Sequence, residues 1–147
     1  MPGDEWSTAT AVLRLGSKLV DGIQQGVAAA GFPDVRPVHG FAFVRLSEAP
    51  ATTAQLAQHL GITKQATSEI AQYLVDRGYL TRVPDPTDRR ARLLVLTDRG
   101  RSCTRAAQAA ASRTVHSWEQ DLTDGQKAAL RDGLVAAAGS GRLRPAW

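Results

Sequence analysis

The amino-acid sequence predicts a mostly α-helical protein with one small β-hairpin. Apolar residues recur at the three- and four-residue spacing of a helix near both ends of the chain, over residues 6–27 and 103–137. Helix-capping signals lie on both sides of residues 61–63, in the middle of the chain. A turn with Pro84 and Pro86 precedes an uninterrupted aliphatic run at residues 93–96, which is typical of a strand.

Composition indicates one domain, alone or with a dimerisation element, because 147 residues with 43% hydrophobic content can bury a core. The apolar runs are far shorter than the roughly 20 residues of a membrane span, and the stretch MPGDEW lacks the basic charge of a signal peptide. The single cysteine, Cys103, cannot form an internal disulfide, which agrees with a reducing compartment. We therefore expect a cytoplasmic protein that does not associate with membranes.

The first two helices follow from apolar patterns and their boundaries. Residues 6–30 carry an amphipathic stripe that ends at Gly31, with Pro33 just beyond, and this predicts one long helix. Its apolar positions are Trp6, Ala9, Leu13, Val20, Ile23 and Val27. Residues 38–46 predict a shorter and largely buried helix, containing Phe41, Phe43 and Val44, that ends before Pro50.

Two further helices are predicted around a tight turn. Thr52 and Gln55 have the spacing of a capping box, and Gly61 stands where a helix end requires a left-handed residue. Thr63 can cap the next helix at once, and that helix is expected to end at Gly78. The inward faces are predicted to be Leu56, Ala57 and Leu60 on the first helix and Ala66, Ile70 and Leu74 on the second. The segment therefore predicts a helix-turn-helix, an arrangement that also occurs in ordinary helical bundles.

A basic hairpin follows directly. The segments YLTRV and RLLVL flank a tip that carries Arg89, Arg90 and Arg92. Seven arginines lie between residues 82 and 105 against three aspartates, within a chain whose net charge is +4. Arginine is the side chain best suited to phosphate and groove contacts, so a wing beside the helix-turn-helix indicates a DNA-reading head.

The C-terminal part predicts two more helices and a tail. Thr97 can cap a long alanine-rich helix, and Thr123 with Gln126 starts another, with Leu130 and Leu134 facing inward. These stripes and that of the first helix exceed what one small lobe can bury, so we expect an intersubunit bundle. The predicted organisation is one domain over 1–147, with dimerisation helices at 6–31 and 98–139, a winged helix-turn-helix at 36–97 and a tail at 140–147. The tail is expected to be loosely ordered or to pack Trp147 across the partner.

Taken together, these elements resemble the MarR family of winged-helix transcriptional regulators over nearly the whole chain. The most specific part is DRRARLLVLTDRG, which is similar to the family's wing signature, beside TTAQLAQHLGITKQATSEIAQYLVDRGYL. The resemblance implies a homodimer that binds double-stranded DNA at a palindromic operator. It further implies a repressor that a small effector releases.

The resemblance also assigns residues. It implies that the recognition helix faces DNA with Thr63, Lys64, Gln65, Thr67 and Ser68. Arg90 would enter the minor groove, and Asp88 would shape the wing. Many relatives carry a basic residue where this chain has Glu69, so their target sequences are not transferred to it. An effector cleft lined by His39 and Phe43 is one expectation, and a satisfied core histidine is the alternative.

Other functions find less support in the sequence. The histidines, at positions 39, 59 and 116, are far apart, and no metal-binding or phosphate-loop motif is present, so we expect no enzyme, metal or cofactor. A thiol sensor at Cys103 is an alternative, because Arg99, Arg101 and Arg105 could lower the pKa of an exposed thiol. A buried cysteine would be inert. A non-specific architectural DNA-binding protein is the remaining alternative.

Overall fold

Residues 2–145, which the computed structural model describes, form six helices and a two-stranded antiparallel sheet, and this confirms the predicted mostly α fold. The elements in chain order are α1 (Pro2–Ala29), α2 (Pro37–Glu48), α3 (Thr53–Leu60), α4 (Lys64–Asp76), β1 (Leu80–Pro84), β2 (Arg92–Leu96), α5 (Asp98–Glu119) and α6 (Asp124–Ala138).

The described residues divide into two compact units. The helical unit comprises residues 2–33 and 106–140, and the winged unit comprises residues 34–105 and 141–145. Helix α5 contributes its first turns to the winged unit and the remainder to the helical unit. Within the described chain, no helix is both long and apolar enough to cross a membrane.

In the helical unit, α1 and α5 pack closely because α1 carries two glycines one turn apart. A Cβ atom at Gly22 would overlap the side chain of Thr114, and one at Gly26 would overlap that of Ala110. Such close approach brings the two backbones within reach of dispersion contacts, although each glycine weakens the isolated helix. Val27 and Ala110 are the apolar residues of these two helices that are buried in this unit.

Helix α6 begins as the sequence predicts but buries little. The Thr123 hydroxyl accepts from the Gln126 backbone N–H (3.2 Å), and the Gln126 side chain accepts in return from the Thr123 N–H (3.0 Å). Two N–H groups of Arg131 donate to the carboxylate of Glu119, each at 2.8 Å, and tie α6 to the end of α5. No residue of α6 is buried.

A set of large apolar side chains in the helical unit is exposed. They are Trp6, Val12 and Leu13 on α1, with Leu134 and Val135 on α6, and their exposed fractions run from 40% to 75%. The prediction that Leu134 faces inward is therefore wrong within a single chain, and Leu130 is only half-buried. The apolar stripes are longer than the surface that one chain offers to cover them.

The winged unit has a continuous apolar core formed by α2, α3, α4 and the hairpin. Its fully buried side chains include Phe43, Leu56, Leu60, Leu74, Tyr79, Leu80 and Leu94. Helix α2 is less buried than predicted, because Val44 is 37% exposed. Ala51, just before α3, pairs with Leu94 of β2 through two backbone hydrogen bonds and joins the helices to the sheet.

The predicted turn between α3 and α4 is confirmed. The Thr52 and Gln55 side chains form the capping box, and Gly61 adopts the left-handed conformation with φ 71° while its N–H donates to the Ala57 carbonyl (2.9 Å). The Thr63 hydroxyl caps α4 by accepting from the Ala66 N–H (3.1 Å).

The predicted inward face of α4 is right at Leu74 and one residue off at Ala66 and Ile70. Thr67, Ala71 and Leu74 are buried, whereas Ala66 and Ile70 are half-buried. Both sets have helical spacing. The structure buries the threonine because its hydroxyl donates to the Thr63 carbonyl (2.9 Å) and so does not lose hydrogen bonding in the core.

The hairpin and tail complete the winged unit. Strands β1 and β2 form the predicted hairpin, and they pair antiparallel from Leu80 with Leu96 to Pro84 with Arg92. The tail is more ordered than expected, because Arg142 and Leu143 hydrogen-bond to the end of α3. The predicted packing of Trp147 lies outside the described residues.

Candidate nucleic-acid interface

Helix α4 presents a polar face to solvent at its N-terminal end. Lys64, Gln65, Ser68 and Glu69 are all exposed. Thr63 is exposed too, and although its oxygen accepts the capping bond, its hydroxyl proton remains able to donate. The structure therefore brings four of the five residues assigned to the recognition helix to one exposed helix end.

Thr67 is the exception among the assigned residues. Its side chain is fully buried, and its hydroxyl donates to a carbonyl of its own helix. A side chain with no exposed surface cannot contact a base edge or a phosphate. The prediction that Thr67 faces DNA is corrected on this ground, and its role is to pack α4 against the core.

The exposed face of α4 continues to its C-terminal half through a network that sequence reasoning missed. The Gln72 amide donates to the Asp76 carboxylate (2.6 Å) and accepts from the guanidinium of Arg82 on β1 (3.1 Å). Gln72 lies four residues beyond Ser68 and seven beyond Gln65, so helical spacing could have placed it on this face. The network holds the first strand of the wing against the recognition helix.

The wing tip carries three exposed arginines. Within residues 2–145, the side chains of Arg89, Arg90 and Arg92 make no hydrogen bond or ion pair. The Asp88 carboxylate accepts from the backbone N–H of Arg90 (3.0 Å), so it holds the loop without neutralising the Arg90 guanidinium. Three unpaired cations at the end of a hairpin form a surface suited to phosphate oxygens.

A second aspartate fixes the other side of the wing loop. The Asp85 carboxylate accepts from the backbone N–H (2.9 Å) and the hydroxyl (2.8 Å) of Thr87, and these two bonds lower its pKa. Its backbone N–H donates to the Ala91 carbonyl (3.1 Å) and closes the loop. Both aspartates therefore shape the loop while the arginines remain exposed.

Asp34 anchors the C-terminal end of α4. Its carboxylate accepts from the Tyr79 hydroxyl (2.6 Å) and lies 3.5 Å from the Arg77 guanidinium, while its carbonyl accepts from the Tyr73 hydroxyl (2.6 Å). The bond from Tyr79 is the main reason that the pKa of Asp34 is lowered. Burial, with the bond to Asp34, raises the pKa of Tyr79 to about 12. This cluster sets where α4 ends and β1 begins, and its members are too far apart in sequence to be paired by pattern.

His39 and Phe43, the residues predicted for an effector cleft, are core residues. His39 is 6% exposed, its Nδ1 accepts from the Arg36 N–H (2.8 Å), and its ring stacks on Tyr73 at 4.8 Å. Burial lowers its pKa to about 4. Phe43 is 2% exposed and packs against Tyr79. Neither side chain offers surface to a ligand, and the alternative of a satisfied core histidine agrees with the structure.

Cys103 does not have the surroundings of a sensor. Its side chain is 1% exposed, and burial raises the pKa of its thiol to about 11. Asp34 raises the pKa further, and the opposing effect of Arg99 is smaller. This burial disfavours the thiol-sensor hypothesis, because a reactive cysteine needs an accessible thiolate. In the described part of the chain, no group of three potential metal ligands is placed to hold an ion.

The region that contains both candidate DNA-binding elements matches a known family. The model of the MarR family matches residues 36–91, from the N-cap of α2 to the wing loop. Over these residues the chain is similar to the MarR family.

Solved structures extend the similarity beyond the matched region. RV1404 from Mycobacterium tuberculosis is 26% identical, with 88% of this chain and 89% of that chain covered and a TM-score of 0.78. A MarR-family transcriptional regulator from Rhodococcus sp. RHA1 is 19% identical, with 94% of this chain and 96% of that chain covered and a TM-score of 0.68. Apo MarR from E. coli is 19% identical, with 89% of this chain and 96% of that chain covered and a TM-score of 0.72. At this level of identity, the last two similarities show the fold alone. No curated protein matches the chain in a sequence search.

Proposed function

We propose that this chain is a MarR-family transcriptional regulator, a homodimeric repressor that binds a palindromic operator and is released by a small effector. The observation that carries the proposal is the pairing of two exposed elements in the winged unit. The polar end of α4 and the arginine tip of the wing belong to neighbouring elements, and Arg82 bonded to Gln72 joins them.

The two elements suit different parts of a duplex. In the proposed complex α4 enters the major groove, where Gln65 and Ser68 reach base edges and Lys64 binds a phosphate at the helix start. The wing places Arg90 in the minor groove, with Arg89 and Arg92 along the backbone. Backbone contacts set position and affinity, whereas the base contacts of α4 provide the discrimination.

The helical unit supplies the proposed dimer interface. Its exposed apolar residues, among them Trp6 and Leu13 of α1 and Val135 of α6, occur on the two terminal helices predicted to dimerise. Burying such side chains against a second copy contributes roughly 1.5–3 kcal/mol each for full burial, which favours association. We expect a dimer wherever the fold persists, and sedimentation equilibrium that shows a stable folded monomer would contradict this part.

Selection from random duplexes tests the operator proposal. A twofold dimer with two equivalent recognition helices should select an inverted repeat whose half-sites lie about one helical turn, roughly 10 base pairs, apart. The selected site should bind about 10³-fold or more tighter than a scrambled duplex. A ratio near one would favour the non-specific architectural protein, and a plainly asymmetric site would exclude the palindrome.

Substitutions separate the wing from the recognition helix. Arg90→Ala removes one phosphate-neutralising cation per subunit, so the slope of log K against log salt should become smaller in magnitude by roughly two for the dimer. Affinity should fall on operator and scrambled duplex alike. Gln65→Ala should cost on the order of 1–3 kcal/mol on the operator alone and leave the slope unchanged. Wild-type behaviour of Arg90→Ala on both duplexes would remove the wing from the proposed interface.

Release by an effector rests on the resemblance to the family. The test is an anisotropy titration of labelled operator in the presence of a small-molecule library, with scrambled duplex at low salt as the control. An effector lowers operator affinity and raises the thermal midpoint of the free protein, because it binds the folded state. A compound that lowers binding to both duplexes equally is a competitor for the surface and does not support release.

A further inference from the structure

The chain returns from the helical unit to the winged unit through a short tail, residues 141–145, which lies against the end of α3. The Arg142 guanidinium donates to the Gln58 carbonyl (2.8 Å), and His59 Nε2 shares a hydrogen bond with the Leu143 carbonyl (3.2 Å). Pro145 is buried. Three of the five tail residues are therefore held in place.

Arg142 explains why the tail stays at this position. The last carbonyls of a helix lack partners within the helix and carry partial negative charge, so a cation that donates to one of them is stabilised there. Gln58 belongs to the last turn of α3. Arg142 thus caps α3 and fixes the path of the residues that follow it.

Arg144 has no such structural task. Its Nη1 lies 2.9 Å from the point that a Cβ atom at Gly61 would occupy, so the guanidinium rests over the bare backbone of the turn. The side chain is exposed and makes no hydrogen bond or ion pair with residues 2–145. The tail therefore places an unpaired cation on the turn that leads into the recognition helix.

Lys64 carries a charge of the same sign as Arg144. Gly61 stands three residues before Lys64, which is exposed in the first turn of α4. Lys64 and the positive end of the α4 dipole repel the Arg144 guanidinium weakly through water. An anion that bridges these groups would attract them all. In the proposed complex, the anion next to a helix inserted in the major groove is a phosphodiester of the DNA backbone.

We propose that the tail belongs to the duplex-binding surface and that Arg144 contacts a backbone phosphate beside the start of α4. The inference rests on the proposed function and deepens it by adding a third element to the interface. The contact is independent of base sequence, so it strengthens binding to operator and scrambled duplex equally.

The test is Arg144→Gln in the full chain, titrated against both duplexes over a salt series from 50 to 200 mM. One lost contact per subunit should reduce the magnitude of the slope by about two for the dimer, at about 0.9 per phosphate. The advantage of the wild type over the variant should then shrink about tenfold across this range. The control is Arg14→Gln, which removes the same charge from an exposed position on α1 and should leave the slope unchanged.

Urea unfolding separates binding from a structural role. Arg144→Gln should keep the wild-type midpoint, whereas Arg142→Gln should lower it because the cap on α3 is lost. A wild-type salt slope for Arg144→Gln would overturn the inference, with or without a change in stability. Equal loss of slope in Arg14→Gln would overturn it as well, since the effect would then be general charge. If the wild type itself binds no duplex, the proposed function fails rather than the role of the tail.

Discussion

Replacing Thr67 by alanine is expected to destabilise the protein without affecting DNA discrimination, because this side chain is buried in the core. The change removes a fully buried methyl group, worth about 1 kcal/mol, and a hydroxyl that donates at 2.9 Å, worth about 1 kcal/mol net. Alanine recovers about 0.5 kcal/mol through its higher helix propensity. The free energy of unfolding should fall by about 1.5 kcal/mol.

Two further variants divide this loss between its causes. Thr67→Ser keeps the hydroxyl and loses the methyl group, so we expect a cost of about 1 kcal/mol. Thr67→Val keeps the shape and loses the hydroxyl. The Thr63 carbonyl still accepts from the Thr67 backbone N–H (3.0 Å), so no buried acceptor is left without a partner and valine should cost less than about 0.5 kcal/mol.

Urea unfolding at one fixed protein concentration measures these differences, and operator titration measures discrimination. With an m value of about 1–3 kcal/mol/M, the alanine variant should unfold at a urea concentration lower by roughly 0.5–1.5 M. Gln65→Ala is the matched control, since its side chain is exposed on the same helix and should leave the midpoint unchanged. The reasoning is refuted if Thr67→Ala keeps wild-type stability and loses operator discrimination.

Three other predictions concern packing, pH and the thiol. Gly26→Ala should destabilise the protein by about 1–3 kcal/mol, because the added methyl group meets Ala110. Gly16→Ala on the same helix meets nothing within 4 Å and should be neutral or stabilising. Equal urea midpoints for the two variants would contradict the close packing. Burial holds the pKa of His39 at about 4, against 6.5 in the unfolded chain. Between these two pH values only the unfolded state binds the proton. The free energy of unfolding should therefore fall as the pH drops, by up to about 3 kcal/mol. His39→Gln should flatten this dependence in urea titrations across the same pH range, and an unchanged slope would count against it. Iodoacetamide should alkylate Cys103 only when the protein unfolds, and rapid reaction of the native protein would restore the sensor hypothesis.

Features that depend on residues close in sequence were predictable. The caps at Thr52, Thr63 and Thr123 join a side chain to a backbone N–H three residues later, so sequence spacing alone defines them. The wing strands were equally predictable, because a short aliphatic run and a proline-rich turn are local signals.

Features that depend on tertiary packing were not predictable. The buried face of α4 was placed one residue away, since sequence spacing could not show that Thr67 satisfies its hydroxyl within its own helix. The bonds from Tyr73 and Tyr79 to Asp34 span 39 and 45 residues, and the contact of Arg142 with α3 spans 84. No periodic pattern relates residues at such separations, so these contacts appear only when the chain is folded.

The two halves of the exposed face on α4 differ in how much order exists before any duplex binds. Gln72 is already held by Arg82 and Asp76, whereas Gln65 and Ser68 make no side-chain bond among residues 2–145. Ordering a free side chain on binding costs about 0.5–1.5 kcal/mol, and a side chain ordered in advance avoids this cost. The C-terminal half of the face is therefore preorganised through the wing, while the N-terminal half keeps the rotamer freedom to adjust to base edges. Because β1 carries Arg82, a displacement of the wing would also break the hydrogen bond from Arg82 to Gln72. A movement of the wing would therefore change the order of the exposed face on α4.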